Sequence, residues 1–371
     1  MNEIQGFANG LRETFSGRSI LLTGHTGFKG SWLAVWLDLL GAHVTGYALA
    51  PPTDPNNYQL ASVGEVLTAD LRGDIRDREG FAKVMRECNP DVVLHLAAQT
   101  VVIDSYADPL ESFDVNVVGT SSVLDAVRSL DKPYAVVVVT SDKCYANDES
   151  GRRFTEDDPL GGHDPYSASK AGQELVAASY RDSFFHPDQL DRHGVALATA
   201  RAGNVIGGGD WTPHGVIADI VRTLTAGEPV PLRRPDAIRP WQHVLEPLSG
   251  YLTLAARLLS DDPAPYCAAW NFGPLPADEA TVAELTEAMI DSWGSGEWLD
   301  NSSPDDLPEA HTLRLSTEKT AANLDWQPRW GLRDAVQHTV GWYRRLADDP
   351  KSARAACIDD IEAYMSAETD R

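Results

Sequence analysis

Tyr166 and Lys170, in Tyr166-Ser-Ala-Ser-Lys170, carry the clearest chemistry in this chain. A tyrosine and a lysine four apart on a helix share one face. A lysine cation there can lower the phenol's pKa and make it a usable base. Upstream, Ser141-Asp142-Lys143 follows the apolar run 135–140 and sets a hydroxyl, a carboxyl and an amine side by side. Near the N-terminus, Gly24-His-Thr-Gly27-Phe-Lys-Gly30 places glycines three apart. Together the three stretches describe a nucleotide-dependent redox site with extra acid/base groups beside it.

Each stretch has a plainer reading. The glycine turn, with Thr26, Phe28 and Lys29, would aim the amides of a helix N-terminus at a pyrophosphate. Its GxxGxxG spacing departs from GxGxxG, so a turn without cofactor is the alternative. Its place between a strand and a helix favours the cofactor. Asp74 and Ile75, after a presumed third strand, are positioned to meet an adenine. No acid ends the second strand at Tyr47-Ala-Leu-Ala50, although Asp54 follows, and no arginine is there for a 2′-phosphate. NAD is therefore expected rather than NADP. Ala97, Ala98 and Gln99 either let a cofactor lie against the backbone or mark tight packing. Asn116, a mediocre helix former, either faces solvent or holds a water and a backbone group near the site. Ser141-Asp142-Lys143 could be a cap cluster, but loops at strand C-termini carry chemistry in open α/β sheets. YxxxK is common by chance; its position one loop later, behind the helix start Asp164-Pro165, makes it specific.

The elements that must hold these residues alternate. Hydrophobic patterning predicts strands over 18–23, 42–49, 91–96, 135–140 and 195–200. It predicts helices over 30–40, 77–88, 109–130 and 166–185. This is the signature of an α/β fold with a doubly wound parallel sheet, whose ligands lie beyond the strands' carboxyl ends. After 203 the alternation stops. Segment 229–241, rich in proline and arginine, reads as an irregular functional loop. Helices are predicted over 216–226, 247–259, 282–293, 332–347 and 352–367. The expected organisation is a dinucleotide-binding domain over 1–203 and a smaller, mostly helical substrate lobe over 204–371, with returns of the chain to the first domain allowed.

Composition narrows the function. The 371 residues suffice for one large domain or two coupled ones, with 43% hydrophobic. Thirty-one basic residues face 55 acidic ones, a net charge of −24, which argues against nucleic acid or an anionic membrane as partner. The four cysteines, Cys88, Cys144, Cys267 and Cys357, show no paired spacing, so neither a disulfide framework nor a metal site is expected. Residues 1–17 do not resemble a signal peptide and no apolar run approaches a membrane span. A cytoplasmic protein is expected.

The motifs in combination resemble the extended short-chain dehydrogenase/reductases, and within them the sugar-nucleotide 4,6-dehydratases, most of all their CDP-glucose branch. The likeness runs through Thr23-Gly-His-Thr-Gly-Phe-Lys-Gly-Ser-Trp32, Ser141-Asp-Lys-Cys-Tyr145, Arg201-Ala-Gly-Asn-Val-Ile-Gly-Gly-Gly-Asp-Trp211 and Arg239-Pro-Trp-Gln-His-Val-Leu-Glu-Pro-Leu248. It implies a Rossmann-type sheet, bound NAD, a nucleotide-sugar substrate and a homodimer built on helices 109–130 and 166–185. It implies that Tyr166 takes the proton of the sugar 4-hydroxyl while hydride passes from C4 to NAD. Lys170 would hold the ribose and Ser141 the 4-oxygen. Asp142 would protonate the departing 6-hydroxyl, and hydride would return to C6, leaving a 4-keto-6-deoxy sugar. Lys143 belongs to the site as base or as electrostatic support. Ser105, Asn204, Arg233, Arg239 and His311 fall where the family binds the nucleotide or its diphosphate. Two departures stand out: Ile103-Asp104 where the family reads two arginines, and His214 near a usual arginine. They leave open a different nucleotide or sugar. An epimerase or reductase of the same fold, and a catalytically silent dinucleotide sensor, are the rivals.

Overall fold

The computed structural model describes residues 3–130, 134–304, 307–308 and 310–368. Seven parallel strands make its central sheet: β1 (Ser19–Thr23), β2 (His43–Ala48), β3 (Ala69–Arg72), β4 (Val92–His95), β5 (Tyr134–Val139), β6 (Val195–Ala202) and β7 (Ala269–Phe272). Their spatial order is β7-β6-β5-β4-β1-β2-β3, so the topological switch lies between β1 and β4. A parallel sheet is covered on both faces, which explains its nearly continuous apolar strands. Side chains alternate between the two faces. Ala135, Val137 and Val139 of β5 join one core with Ile20, Leu22 and Val44, while Tyr134, Val136 and Val138 join the other with Leu21 and Val93.

The helices are α1 (Glu3–Phe15), α2 (Phe28–Leu39), α3 (Arg78–Cys88), α4 (Thr120–Val127), α5 (Pro165–Ser183), α6 (Val216–Ala226), α7 (Leu245–Leu258), α8 (Val282–Trp293), α9 (Leu332–Asp348) and α10 (Ala353–Ser366). Phe81 and Met85 of α3, Leu124 of α4 and Ala177 of α5 cover one sheet face. Trp32 and Trp36 of α2 and Leu248 and Leu252 of α7 cover the other. Start signals act as the sequence predicts: Asp77 accepts from Gly80 N, and Asp164 accepts from Ser167 N ahead of Pro165. All four cysteines are free thiols.

Four expectations need correction. The predicted helix 109–130 is interrupted: an α-turn at Pro109–Phe113 runs into a π-helical turn at Asp114–Gly119 before α4. The extra residue of a π-turn re-aims a side chain, and such turns gather at functional sites. Segment 229–241 is not wholly irregular; Val230–Leu232 pairs with Trp298–Asp300, and Ile238–Arg239 with Ala280–Thr281. Strand β7 was not foreseen, because Ala-Trp-Asn-Phe has no alternation and only pairing with β6 makes it a strand. Helix α1 lies in the polar stretch 1–17, where no helix was predicted, and its Leu11 and Phe15 are buried in the core. With β7 and α7 in the sheet and its cover, the chain beyond 204 helps build the first half rather than merely capping it.

Candidate active site

A cleft of about 910 Å³ opens along the carboxyl ends of the strands, bottomed by the glycine turn after β1 and the segment after β4. Gly24 has φ +76°, and a Cβ there would lie 2.7 Å from Ala97 N, so only glycine lets the two backbones meet. A Cβ on Gly30 would overlap the Gly24 carbonyl oxygen, so the first turn of α2 rests directly on the loop. Gly27 caps α2 with no side-chain hydrogen bond, and no acid lies in its first turn. The N-terminal amides of α2 therefore face the cleft without a partner from a capping side chain, which is the donor set an anion such as a pyrophosphate requires. Thr26, Phe28, Asp74, Ile75, Ala97, Ala98 and Gln99 line the same end. The residues present fit a dinucleotide.

Ser141 and Asp142 sit where β5 ends. The Ser141 hydroxyl accepts from Lys143 N at 3.2 Å and donates to Asp142 Oδ1 at 3.1 Å, holding the tight turn Asp142–Cys144. Asp142 is 2% exposed and its Oδ2 has no hydrogen-bond partner among the described residues. Burial raises its carboxyl pKa, against the opposing pull of Lys143, Ser141, Arg239 and Lys29. Burial of this kind shifts a carboxyl toward holding its proton more tightly, the direction that acid chemistry requires. Tyr166 shares that wall. Burial pushes its phenol up, the Ser141 side chain opposes this, and the negative charges of Asp142 and Asp164 add to the rise. Lys170, one turn on, is buried, and desolvation together with the Lys29 cation lowers its pKa to about 7. Its Nζ donates to Gln173 Oε1 at 2.8 Å.

The turn after β5 is anchored from behind. Arg201, in the otherwise uncharged strand β6, pairs with Glu174 of α5 at 2.7 Å and donates to the Tyr145 hydroxyl at 2.9 Å. Glu174 also accepts from Thr140 and Thr199. Neither Glu174 nor Arg201 stood out as a site residue, although a charge inside an apolar strand signals a buried partner. Tyr251, fully buried on α7, was missed as well; Lys29 Nζ approaches its hydroxyl at 3.5 Å.

The remaining candidates divide. Asn204, Arg233 and Arg239 line the cleft; Arg233 donates to the His214 carbonyl at 3.3 Å, and Arg239 donates to the Ile238 and His311 carbonyls. Ile103, Asp104 and His214, the departures, line it too. Three placements differ from expectation. Ser105 is buried outside the cleft, its hydroxyl donating to Val102 O and accepting from Tyr166 N at 3.2 Å, so it steadies the start of α5. His311 is exposed, and its backbone carbonyl, not its ring, meets Arg239. Lys29 reaches from the glycine loop to the Tyr251 hydroxyl at 3.5 Å; burial lowers its pKa to about 8, against the opposing pull of the Asp142 charge. For Asn116 the second of the two readings applies: behind the cleft wall, it holds the backbone of Gln99, which lines the cleft. It is fully buried, with Oδ1 accepting from Gln99 N at 2.9 Å and Nδ2 donating to Gln99 O and Ser169 Oγ. The π-turn gives it that aim. The Asp74 carboxylate is already clamped by Arg76, which holds its pKa down.

A doubly wound parallel sheet with a glycine-floored dinucleotide cleft and a Tyr–Lys helix across it defines an extended short-chain dehydrogenase/reductase. Residues 21–271 match the family model for GDP-mannose 4,6 dehydratase, and the chain belongs to that family. It is 44% identical over 96% of its length, and 98% of the relative's, to a CDP-glucose 4,6-dehydratase of Salmonella typhimurium. It is 31% identical to a dTDP-glucose 4,6-dehydratase of Streptomyces griseus over 88% of this chain and 94% of that one. Among solved structures, DesIV, a dTDP-glucose 4,6-dehydratase of Streptomyces venezuelae with NAD bound, superposes with a TM-score of 0.74 at 27% identity, covering 88% of this chain and 97% of that one. No helix among the described residues is long and apolar enough to cross a membrane.

Proposed function

We propose that the protein is an NAD-dependent sugar-nucleotide 4,6-dehydratase that converts CDP-glucose to its 4-keto-6-deoxy form. One observation carries the reading: the buried Asp142, with an unpartnered Oδ2, shares the cleft wall with Tyr166. An epimerase or simple reductase needs the tyrosine but no elimination acid beside it. NAD, held by the α2 amides, Gly24 and the Ala97–Gln99 backbone, supplies a reversible hydride acceptor and donor when bound. Tyr166 takes the proton of the sugar 4-hydroxyl, and Ser141 hydrogen-bonds the 4-oxygen. Lys170 holds the ribose. A 4-ketone acidifies C5–H; Lys143, beside Asp142 on the cleft wall, takes that proton and gives it back to C5 as hydride reaches C6. Asp142 lends its proton to the departing 6-hydroxyl. Asn204, Arg233 and Arg239 hold the diphosphate, a task suited to the guanidinium fork.

Residues 1–203 carry most of the cofactor's contacts and 204–371 most of the nucleotide-sugar's, in the cytoplasm. A homodimer forms through the helical face of 109–127 and α5. Leu110 (74% exposed), Phe113, Val118 and Leu175 (60% exposed) support that face, since they leave apolar area for a partner to cover. A second reading, a dehydratase for another nucleotide-sugar, is favoured by Asp104 in the cleft, where a carboxylate repels a diphosphate. Incubation with CDP-, dTDP-, UDP- and GDP-glucose, followed by mass spectrometry, decides between them. Loss of one water from CDP-glucose without NADH accumulation is the expected result. Turnover of another nucleotide alone would replace the substrate, and stoichiometric NADH release would replace the reaction.

A further inference from the structure

Behind Lys170 runs a chain of buried side chains that neither the spacing argument nor the proposed reaction uses. Thr23 Oγ1, at the end of β1, accepts from Leu96 N and Ala97 N, each at 3.1 Å. Both of its lone pairs are then occupied, so its hydrogen points to His95 Nδ1, 2.8 Å away. His95 is fully buried, and desolvation together with the Lys170 charge lowers its pKa to about 3, so it is neutral. With Nδ1 accepting, Nε2 carries the hydrogen and gives it to Thr120 Oγ1 at 3.0 Å. That same oxygen accepts from Gln173 Nε2 at 2.9 Å. The Gln173 amide is thereby locked in one orientation, and its oxygen can only face Lys170, which donates to it at 2.8 Å. Four elements, β1, β4, α4 and α5, contribute to this one directional chain. Its far end is the Ala97 amide against which Gly24 packs, the floor of the dinucleotide end of the cleft.

Among the described residues Gln173 Oε1 is the one hydrogen-bond acceptor of Lys170 Nζ. The charged and titratable groups that act on that amine are Lys29 from α2, His95 from β4, Cys144 from the turn after β5 and Glu174 from its own helix. Glu174, the adjacent carboxylate, is turned away and spent on Arg201, Thr140 and Thr199. An uncharged acceptor holds an ammonium in place without cancelling its charge. A carboxylate at 173 would neutralise it, and an alkyl group would leave it unanchored.

We propose that Gln173, oriented by Thr120 and His95, is a positioning residue that holds the Lys170 ammonium at the ribose end of the cleft. The inference rests on the reading of Lys170 as the ribose-holding group, and its test does not require turnover.

The measurement is NAD affinity of the full chain across pH, followed by quenching of tryptophan fluorescence. In the wild type, binding weakens as Lys170 loses its proton. The amide oxygen favours the charged amine. Gln173→Leu therefore lowers the lysine pKa, moves the weakening to lower pH by about one unit, and costs about tenfold in affinity at neutral pH. Gln173→Glu adds a negative charge and moves the same midpoint to higher pH. A residue that only fills space would not shift the midpoint in opposite directions. If Gln173→Leu fails to fold, Thr120→Val frees the amide to rotate and moves the midpoint down, and Thr120→Ser, which keeps the hydroxyl, restores it. Folded Gln173 variants with the wild-type midpoint and affinity, or equal behaviour of Thr120→Val and Thr120→Ser, would overturn the proposal. A protein that dehydrates no nucleotide-glucose, yet shows the opposed shifts, would overturn the reaction and leave Gln173 its role.

Discussion

At the scale of single residues, the proposed reaction asks Asp142 to give a proton and Tyr166 to take one. The fold separates the two by environment. Asp142 is enclosed, with Ser141 donating to Oδ1 and no donor offered to Oδ2, while burial raises the Tyr166 phenol against the opposing pull of the Ser141 side chain. Asp142→Asn keeps the shape and removes the acid. Formation of the water-loss product is expected to fall by about a hundredfold or more, with NAD affinity unchanged. Product appearing at the wild-type rate in a mass-spectrometric time course would take Asp142 out of the reaction. Ser141, Asp142, Tyr166 and Lys170 were legible because a motif placed after a strand, or at a helix start, determines where its side chains go. Ser105 and His311 were not. Both lie in connecting segments whose side-chain direction is set by packing partners distant in sequence, Tyr166 N in one case and Arg239 in the other.

At the scale of elements, α7 shows how a buried charge ties the C-terminal part to the sheet. Glu246, with no exposed surface, accepts from Arg329 N at 3.0 Å, Trp330 N at 2.7 Å and the Tyr364 hydroxyl at 2.7 Å. It thus links α7 to the segment before α9 and to α10. Burial raises its pKa from 4.5 to about 7 despite these donors. The folded state therefore binds this proton more tightly than the unfolded chain. Its contribution to stability is complete below pH 4.5 and is lost as pH rises through 7. The melting temperature is expected to fall between pH 5 and 8, by the equivalent of up to about 3 kcal/mol. Glu246→Gln, neutral throughout, should flatten that fall. A variant with the same pH slope as the wild type would place the titration elsewhere. The helix over 109–130 was legible in its extent, but not its π-turn: periodicity reports which residues are apolar, and the extra residue exists because Asn116 has to reach Gln99.

At the scale of the whole molecule, the proposed dimer face is a testable surface. Leu175 projects 60% exposed from α5, beside Leu110 and Val118. Leu175→Glu places a charge in the middle of a face that a partner would have to desolvate. Sedimentation should change from dimer to monomer. A wild type that sediments as a monomer removes the dimer from the picture. By itself the sequence determined the parallel sheet, the glycine turn and the helix that carries Tyr166 and Lys170, since each depends on local spacing and on apolar residues that must leave water. Tertiary structure alone decided β7 as an edge strand, the reach of Lys29 to Tyr251, and the chain from Thr23 to Lys170. These depend on contacts between residues far apart in the chain, 72 positions for Thr23 and His95 and 53 for Thr120 and Gln173, for which no local pattern has a mark.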